Sequence, residues 1–162
     1  MLFRSRFDDT NTYPVYQNSL TPLGYYDRSN YNANTTFIIS AGAAGDVGYS
    51  YEDFWAADDC LCLECYDFVL SRYLYHYLLS QQYYLYSRVR KASIPRLSRR
   101  VVEKLQIPIP PLSEQKRIVS ILDKFDSLVN DISIGLPAEL NARRKQYEYY
   151  RNKLLTFKEY GK

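Results

Sequence analysis

Residues Gln106-Ile107-Pro108-Ile109-Pro110-Pro111-Leu112-Ser113-Glu114-Gln115-Lys116-Arg117-Ile118 divide the chain into two parts that obey different physical rules. Pro108, Pro110 and Pro111 remove backbone donors and hold the residues before them extended, so no helix runs through 107–111. Immediately afterwards Ser113 is placed as an N-cap, with Glu114 and Gln115 in a first helical turn and an apolar periodic run beyond. A short, stiff, extended connector feeding a long helix is predicted. The class expected is α+β, with a mixed-sheet domain over 1–111 and a helical spacer over 112–162.

Before the connector the signals are short. Residues 12–16, interrupted by Pro14, predict an edge-like strand at best. Residues 17–34 are rich in Asn, Ser, Thr, Pro and Gly and predict a surface loop carrying Tyr25, Tyr26 and Tyr31. The β-branched apolar run 35–40 predicts a buried strand. Small residues follow over 41–48, where exposed amides suit a close approach to another surface. The spacing Gly42, Gly45, Gly48 matches neither a dinucleotide fingerprint nor a P-loop. Residues 47–52, 54–57 and 60–63 predict short strands of one small sheet, and 66–84 a helix of about five turns.

The soft and titratable residues point away from catalysis. Cys60, Cys62 and Cys65 offer three ligands where zinc requires four, with His76 the one further candidate, so no metal site is expected. Cys60 and Cys62 alternate onto one strand face and behave as small hydrophobes. His76 sits among tyrosines and leucines without an acidic neighbour in sequence, and is expected to be packed. No run approaches the roughly 18 apolar residues of a membrane span. The first residues, with Arg4, Arg6, Asp8 and Asp9, lack a signal peptide's apolar block, so no membrane association and a cytoplasmic location are expected.

Charge is concentrated. The whole chain carries +3, but Arg88, Arg90, Lys91, Arg96, Arg99, Arg100 and Lys104 face one acid, Glu103, which is 7 − 1 = +6 over residues 88–104. The remainder is therefore net acidic, and a basic loop at Pro95, where no helix continues, suits a phosphate backbone. Tyrosine supplies 18 of 162 residues, and its large amphipathic ring suits recognition surfaces as well as cores.

Beyond the connector, Ile118, Leu122, Phe125, Val129 and Ile132 are spaced 4, 3, 4, 3, a coiled-coil seam. A second series, Leu136, Leu140, Arg143, Tyr147, Tyr150, Leu154 and Phe157, is offset by four inserted residues. The stutter centres on Gly135-Leu136-Pro137, where the helix is kinked or broken. Each part is too short to be stable alone and requires a helix of the same or a second chain.

Several stretches together carry a family likeness: Tyr13-Pro14-Val15-Tyr16, Gly24-Tyr25-Tyr26-Asp27, residues 37–48, Ile94-Pro95-Arg96-Leu97, the connector with Gln115-Lys116-Arg117-Ile118-Val119, Leu136-Pro137-Ala138-Glu139 and Gln146-Tyr147-Glu148-Tyr149-Tyr150-Arg151. In this order and spacing the chain resembles one half of the DNA specificity (S) subunit of type I restriction-modification systems. The resemblance implies a target-recognition domain followed by spacer helices, non-catalytic, reading one half of a split target in double-stranded DNA. It implies docking to a methyltransferase (M) subunit and through it to the restriction (R) subunit. No cofactor is implied for this chain; S-adenosylmethionine, ATP and magnesium belong to the partners. With one recognition unit, the chain requires a homodimer or another S polypeptide to specify a two-part target. Family recognition domains carry a segment before the Tyr-Pro-Val-Tyr motif, so an N-terminally truncated domain is expected.

The DNA-facing residues expected are Tyr25, Tyr26 and Arg28; Ser40, Ala41, Gly42 and Ala43; and Arg88, Arg90, Lys91, Ser93, Arg96 and Arg99. The helical interface expected comprises Ile118, Leu122, Phe125, Val129, Ile132, Leu140, Tyr147, Tyr150 and Leu154. A helical assembly factor, or a recombining fragment without DNA binding of its own, is the competing reading. A stand-alone enzyme is disfavoured, since neither an Asn-Pro-Pro-Tyr nor an Asp-Pro-Pro-Tyr methylation motif occurs.

Overall fold

Apolar residues that alternate along a strand must find cover on both sides when no polar face remains, and β3 (Thr35–Ile39) shows the outcome. The computed structural model describes residues 12–131 and 137–156. In it Ile38 points into a cluster with Val47, Leu74, Leu78, Leu85 and Leu97, while Phe37 and Ile39 point the other way, toward Phe54, Ala56 and Cys60. The continuous apolar run is thus a strand buried on both faces.

Strand pairing produces two three-stranded sheets, where one small sheet is expected from sequence. β3 is flanked antiparallel by β4 (Val47–Ser50) and β6 (Cys60–Leu63). β1 (Tyr13–Tyr16) lies between β2 (Gly24–Tyr26), antiparallel, and β5 (Trp55–Ala56), parallel. β1 is therefore central in its sheet and not an edge. Pro14 is tolerated because its registered partner is Tyr25 on β2, whereas pairing with β5 begins only at Val15. Residues 24–26 are strand, not loop, and Tyr26 is buried with its ring edge-on to Trp55 at 5.1 Å. The two sheets meet through aromatic packing, Tyr16 lying 4.8 Å from Phe37 and 5.6 Å from Phe54. Gly48 lies within β4 beneath the Phe37 ring, where an added Cβ would collide. Cys60 and Cys62 share that aromatic face as expected, and a hydrogen bond to Cys62 with burial holds the Cys60 thiol far above its usual range.

The predicted helix over 66–84 starts later and is split. α1 (Ser71–Ser80) ends at Gln81, and α2 (Gln82–Ser87) carries Leu85 into the cluster around Ile38. The start of α1 is set by tertiary bonds: the Thr36 amide donates to Ser71 Oγ at 3.0 Å, and the Leu70 amide to the Gln115 side chain at 2.8 Å. A short α3 (Arg99–Glu103) precedes the connector.

The connector is extended and docked through alternate carbonyls. Tyr77 and Tyr73, one turn apart on α1, donate their hydroxyls to Gln106 O at 2.9 Å and Pro108 O at 2.8 Å. Gln115 continues the series by donating Nε2 to Pro110 O at 2.8 Å and to Phe68 O at 2.8 Å. Gln115 is fully buried, so every one of these bonds replaces water that cannot enter. α4 (Leu112–Asp131) begins before Ser113, because the Glu114 and Gln115 amides bond to Pro111 O. Ser113 lies inside the first turn, which corrects its reading as the cap.

α4 then packs on α1, burying Ile118 and Leu122 against Tyr73 and Tyr77. α5 (Pro137–Leu155) returns antiparallel: Phe125 stacks on Tyr150 at 5.6 Å and approaches Tyr147 at 6.4 Å, while Leu155 joins Ile118 and Leu122. Ile118, Leu122 and Phe125 of the seam are covered within the chain; α4 is described to Asp131 and α5 from Pro137, and the expected stutter falls largely between them. Ile132, Leu136, Gly135 and Phe157 lie outside the described residues, and Leu140 lies within α5.

Gln115→Ala would leave the buried Leu70 amide without an acceptor. A loss of about 1–3 kcal/mol is expected, read as a lower urea midpoint at unchanged m-value, with Tyr73→Phe costing about 1 kcal/mol.

Candidate nucleic-acid interface

The basic segment folds as an arm held at its base. The Arg90 amide donates to Arg96 O at 2.8 Å and the Arg96 amide to Arg90 O at 3.2 Å, closing a hairpin with 91–95 at its tip. A second pair, Leu97 N to Ser40 O at 2.8 Å and Gly42 N to Pro95 O at 3.2 Å, fastens the arm to the loop after β3. Leu97 is buried in the core cluster and plugs the attachment. Every residue from Arg90 to Arg96 is exposed, as are Arg88, Arg99 and Arg100.

Their charges are largely unneutralised. Arg96 approaches Asp59 at 3.9 Å, a long contact between partly solvated groups, and Arg88 lies over the Tyr84 ring at 5.0 Å. Among the described residues Arg90, Lys91, Arg99 and Arg100 form no ion pair. An open groove in the arm is lined by Arg88, Arg90, Ser93, Ile94 and Arg96.

The glycine loop serves this arm and is not a phosphate cradle. Gly42 and Gly45 adopt φ of 82° and 96°, and a Cβ on Gly42 would fall 2.8 Å from the Asn18 carbonyl. The amides expected to face solvent are spent internally: Gly42 on Pro95 O, Ala43 on Asn18 O and Gly45 on Ile39 O. Ala41 is buried, and Ser40 turns its hydroxyl to Asp59 O at 3.0 Å. Ser40 and Gly42 therefore hold the arm, and the amides of Gly42 and Ala43, bonded to Pro95 O and Asn18 O, are not free for a phosphate. Tyr26 is likewise buried and removed from the surface set. Tyr25 is half exposed on β2, and Arg28, exposed, pairs loosely with Asp27 at 3.8 Å. Tyr25 lies on β2 and Arg28 in the loop after it, in the other sheet's part of the fold from the loop to which the arm is fastened.

A cluster that the sequence does not advertise lies where α1 meets α4. Arg72 donates to Asp123 at 2.8 Å and Asp126 at 3.4 Å, with its guanidinium against the rings of Tyr49, Tyr51 and Tyr75 at 4.9, 5.2 and 4.5 Å. His76, fully buried, bonds through Nε2 to the same Asp123 oxygen at 2.7 Å. His76, Asp123 and Asp126 have ligand atoms within 4.8 Å of one another, a spacing that suits a cation. Arg72 already neutralises those carboxylates, so the donor set is a structural ion-pair network. The one sequence signal for it is Asp123 and Asp126 three apart on α4, beside buried Leu122.

A family model described as the type I restriction modification DNA specificity domain matches residues 1–142. A type I restriction enzyme specificity subunit of Escherichia coli is 42% identical over 91 residues, covering 55% of this chain and 22% of that one. One from Mycoplasma pneumoniae is 31% identical over 147 residues, covering 89% and 44%. The crystal structure of a type I restriction-modification S subunit from M. genitalium superposes with TM-score 0.69 at 21% identity, over 82% of this chain and 36% of that one. The HsdS subunit from Thermoanaerobacter tengcongensis superposes with TM-score 0.61 at 17% identity, over 91% and 38%. These likenesses place the α+β fold, and the chain spans less than half the length of each of these relatives. No helix among the described residues is long and apolar enough to cross a membrane.

Burial pushes the His76 imidazole below its ordinary value of 6.5, outweighing the bond to Asp123 that pulls it upward. The unfolded chain therefore binds the proton first. The stability from neutral His76 is complete above pH 6.5 and declines as pH falls through 6.5 toward the folded value. Melting temperature recorded between about pH 7.5 and 5 should show this slope, and His76→Phe should flatten it.

Proposed function

The chain belongs to the type I restriction-modification DNA specificity family, and from that premise we propose that it reads one half of a bipartite duplex target. The observation that carries this reading is the arm 88–100: exposed cations with few acidic partners, fixed at two points to the loop after β3. Arg88, Arg90, Lys91, Arg96 and Arg99 contact phosphates, while Tyr25, Arg28 and Ser93 lie on loops or strands suited to base edges. In this reading residues 1–111 read DNA and 112–162 serve assembly.

The chain itself carries out no chemistry. Methyl transfer from S-adenosylmethionine, and ATP- and magnesium-dependent steps, belong to the methyltransferase and restriction subunits. Leu128, Tyr149 and Tyr150 remain exposed on α4 and α5 and offer the methyltransferase, or a second specificity polypeptide bringing the other half-site, an apolar contact. A helical factor acting through 112–162 alone is the weaker reading, because Ile118 and Leu122 are committed to Tyr73 and Tyr77.

Replacing Arg90, Lys91 and Arg96 together by Ala should weaken duplex binding. The dependence of log affinity on log salt should become shallower by about 2–3, roughly 0.9 per lost phosphate contact. Titration of fluorescent duplex at several salt concentrations, with the methyltransferase present, reads both. Unchanged affinity and slope would sink the assignment.

A further inference from the structure

We propose that Ile94 is a base-reading side chain of the arm, receiving the C5-methyl group of a thymine in the major groove; this rests on the DNA-binding reading above. Ile94 is 55% exposed, and its backbone is restrained. It directly precedes Pro95, whose ring restricts the residue before it to extended conformations, and Pro95 is itself anchored by its carbonyl to the Gly42 amide. It shares one concave surface with Arg88, Arg90, Ser93 and Arg96.

That neighbourhood separates two chemistries. Guanidinium and ammonium groups take phosphate oxygens, for which an aliphatic side chain has no use. An exposed sec-butyl group set among cations that draw in a polyanion meets the apolar part of that polyanion. In duplex DNA the thymine methyl is the apolar group displayed on a base edge of the major groove, and the tip of the loop closed by the Arg90–Arg96 bridge is the part of the arm that would enter it. Phosphate binding by the arginines would thus set position, and Ile94 would add preference at one base pair.

The full chain, with the methyltransferase present, should be used to select from a pool of duplexes with a randomised central tract, alongside Ile94→Ala, Ile94→Val and the Arg90→Ala, Lys91→Ala, Arg96→Ala triple variant. Wild type should enrich thymine at one position, and Ile94→Ala should lose roughly four-fold of that preference, the factor for about one buried methylene. Ile94→Val should retain most of it. A pool carrying uracil for thymine should reproduce the loss with wild type and add nothing to Ile94→Ala. The salt slope should be unchanged in both Ile94 variants and lowered in the triple variant. If wild type shows no thymine preference, or Ile94→Ala keeps it, or uracil is bound equally well, the role of Ile94 is wrong while the arm's phosphate contacts stand. If the triple variant also keeps its affinity and slope, or wild type binds no duplex at low salt, the DNA-binding reading falls with it.

Discussion

The fastening of the proline connector governs how the two parts of the chain meet. An extended segment presents successive carbonyls to opposite sides, so the carbonyls of Gln106, Pro108 and Pro110 face one way, and all meet donors from the first part of the chain or from Gln115. Prolines alone stiffen a connector but leave its direction open. Two tyrosine hydroxyls and one buried amide select the direction, and with it the place where α4 starts. Ile118 and Leu122 then fall on Tyr73 and Tyr77, so the spacer helix is continuous with the core of the strand-bearing part.

Charge is divided along the same lines. At the joint of α1 and α4, Arg72 is enclosed by tyrosine rings and neutralised by Asp123 and Asp126. A charge so placed fixes geometry, since removing either partner would strand the other in a poorly solvated site. On the arm the cations remain in water and largely unpaired, free to exchange counterions for phosphates. The arm is nevertheless fastened at its base, because the Ser40 carbonyl and the Gly42 amide grip residues 95–97. Ordering the arm in advance reduces the entropy lost on binding.

Much of this architecture is legible in the residues themselves. The strand at 35–39, the strand face shared by Cys60 and Cys62 and the break at the connector follow from periodicity and from proline stereochemistry. The basic segment is visible from local charge alone. Less visible is what each loop residue does: Ala41, Gly42 and Ala43 read as exposed amides, and Tyr26 as a surface ring. Their partners, Pro95, Asn18 and Trp55, lie far off in sequence.

The α+β class, the position of the connector and the location of positive charge are all set by the order of residues, because they depend on backbone dihedrals, apolar period and composition, which are local properties. Packing in three dimensions settles the rest: that two sheets form, that Pro14 sits in a central strand, that His76 finds Asp123, and that Gln115 pins the connector. Each of these is a pairing between groups that nothing local to either one specifies, and such pairings are chosen by which buried donors and rings find partners in the packed core.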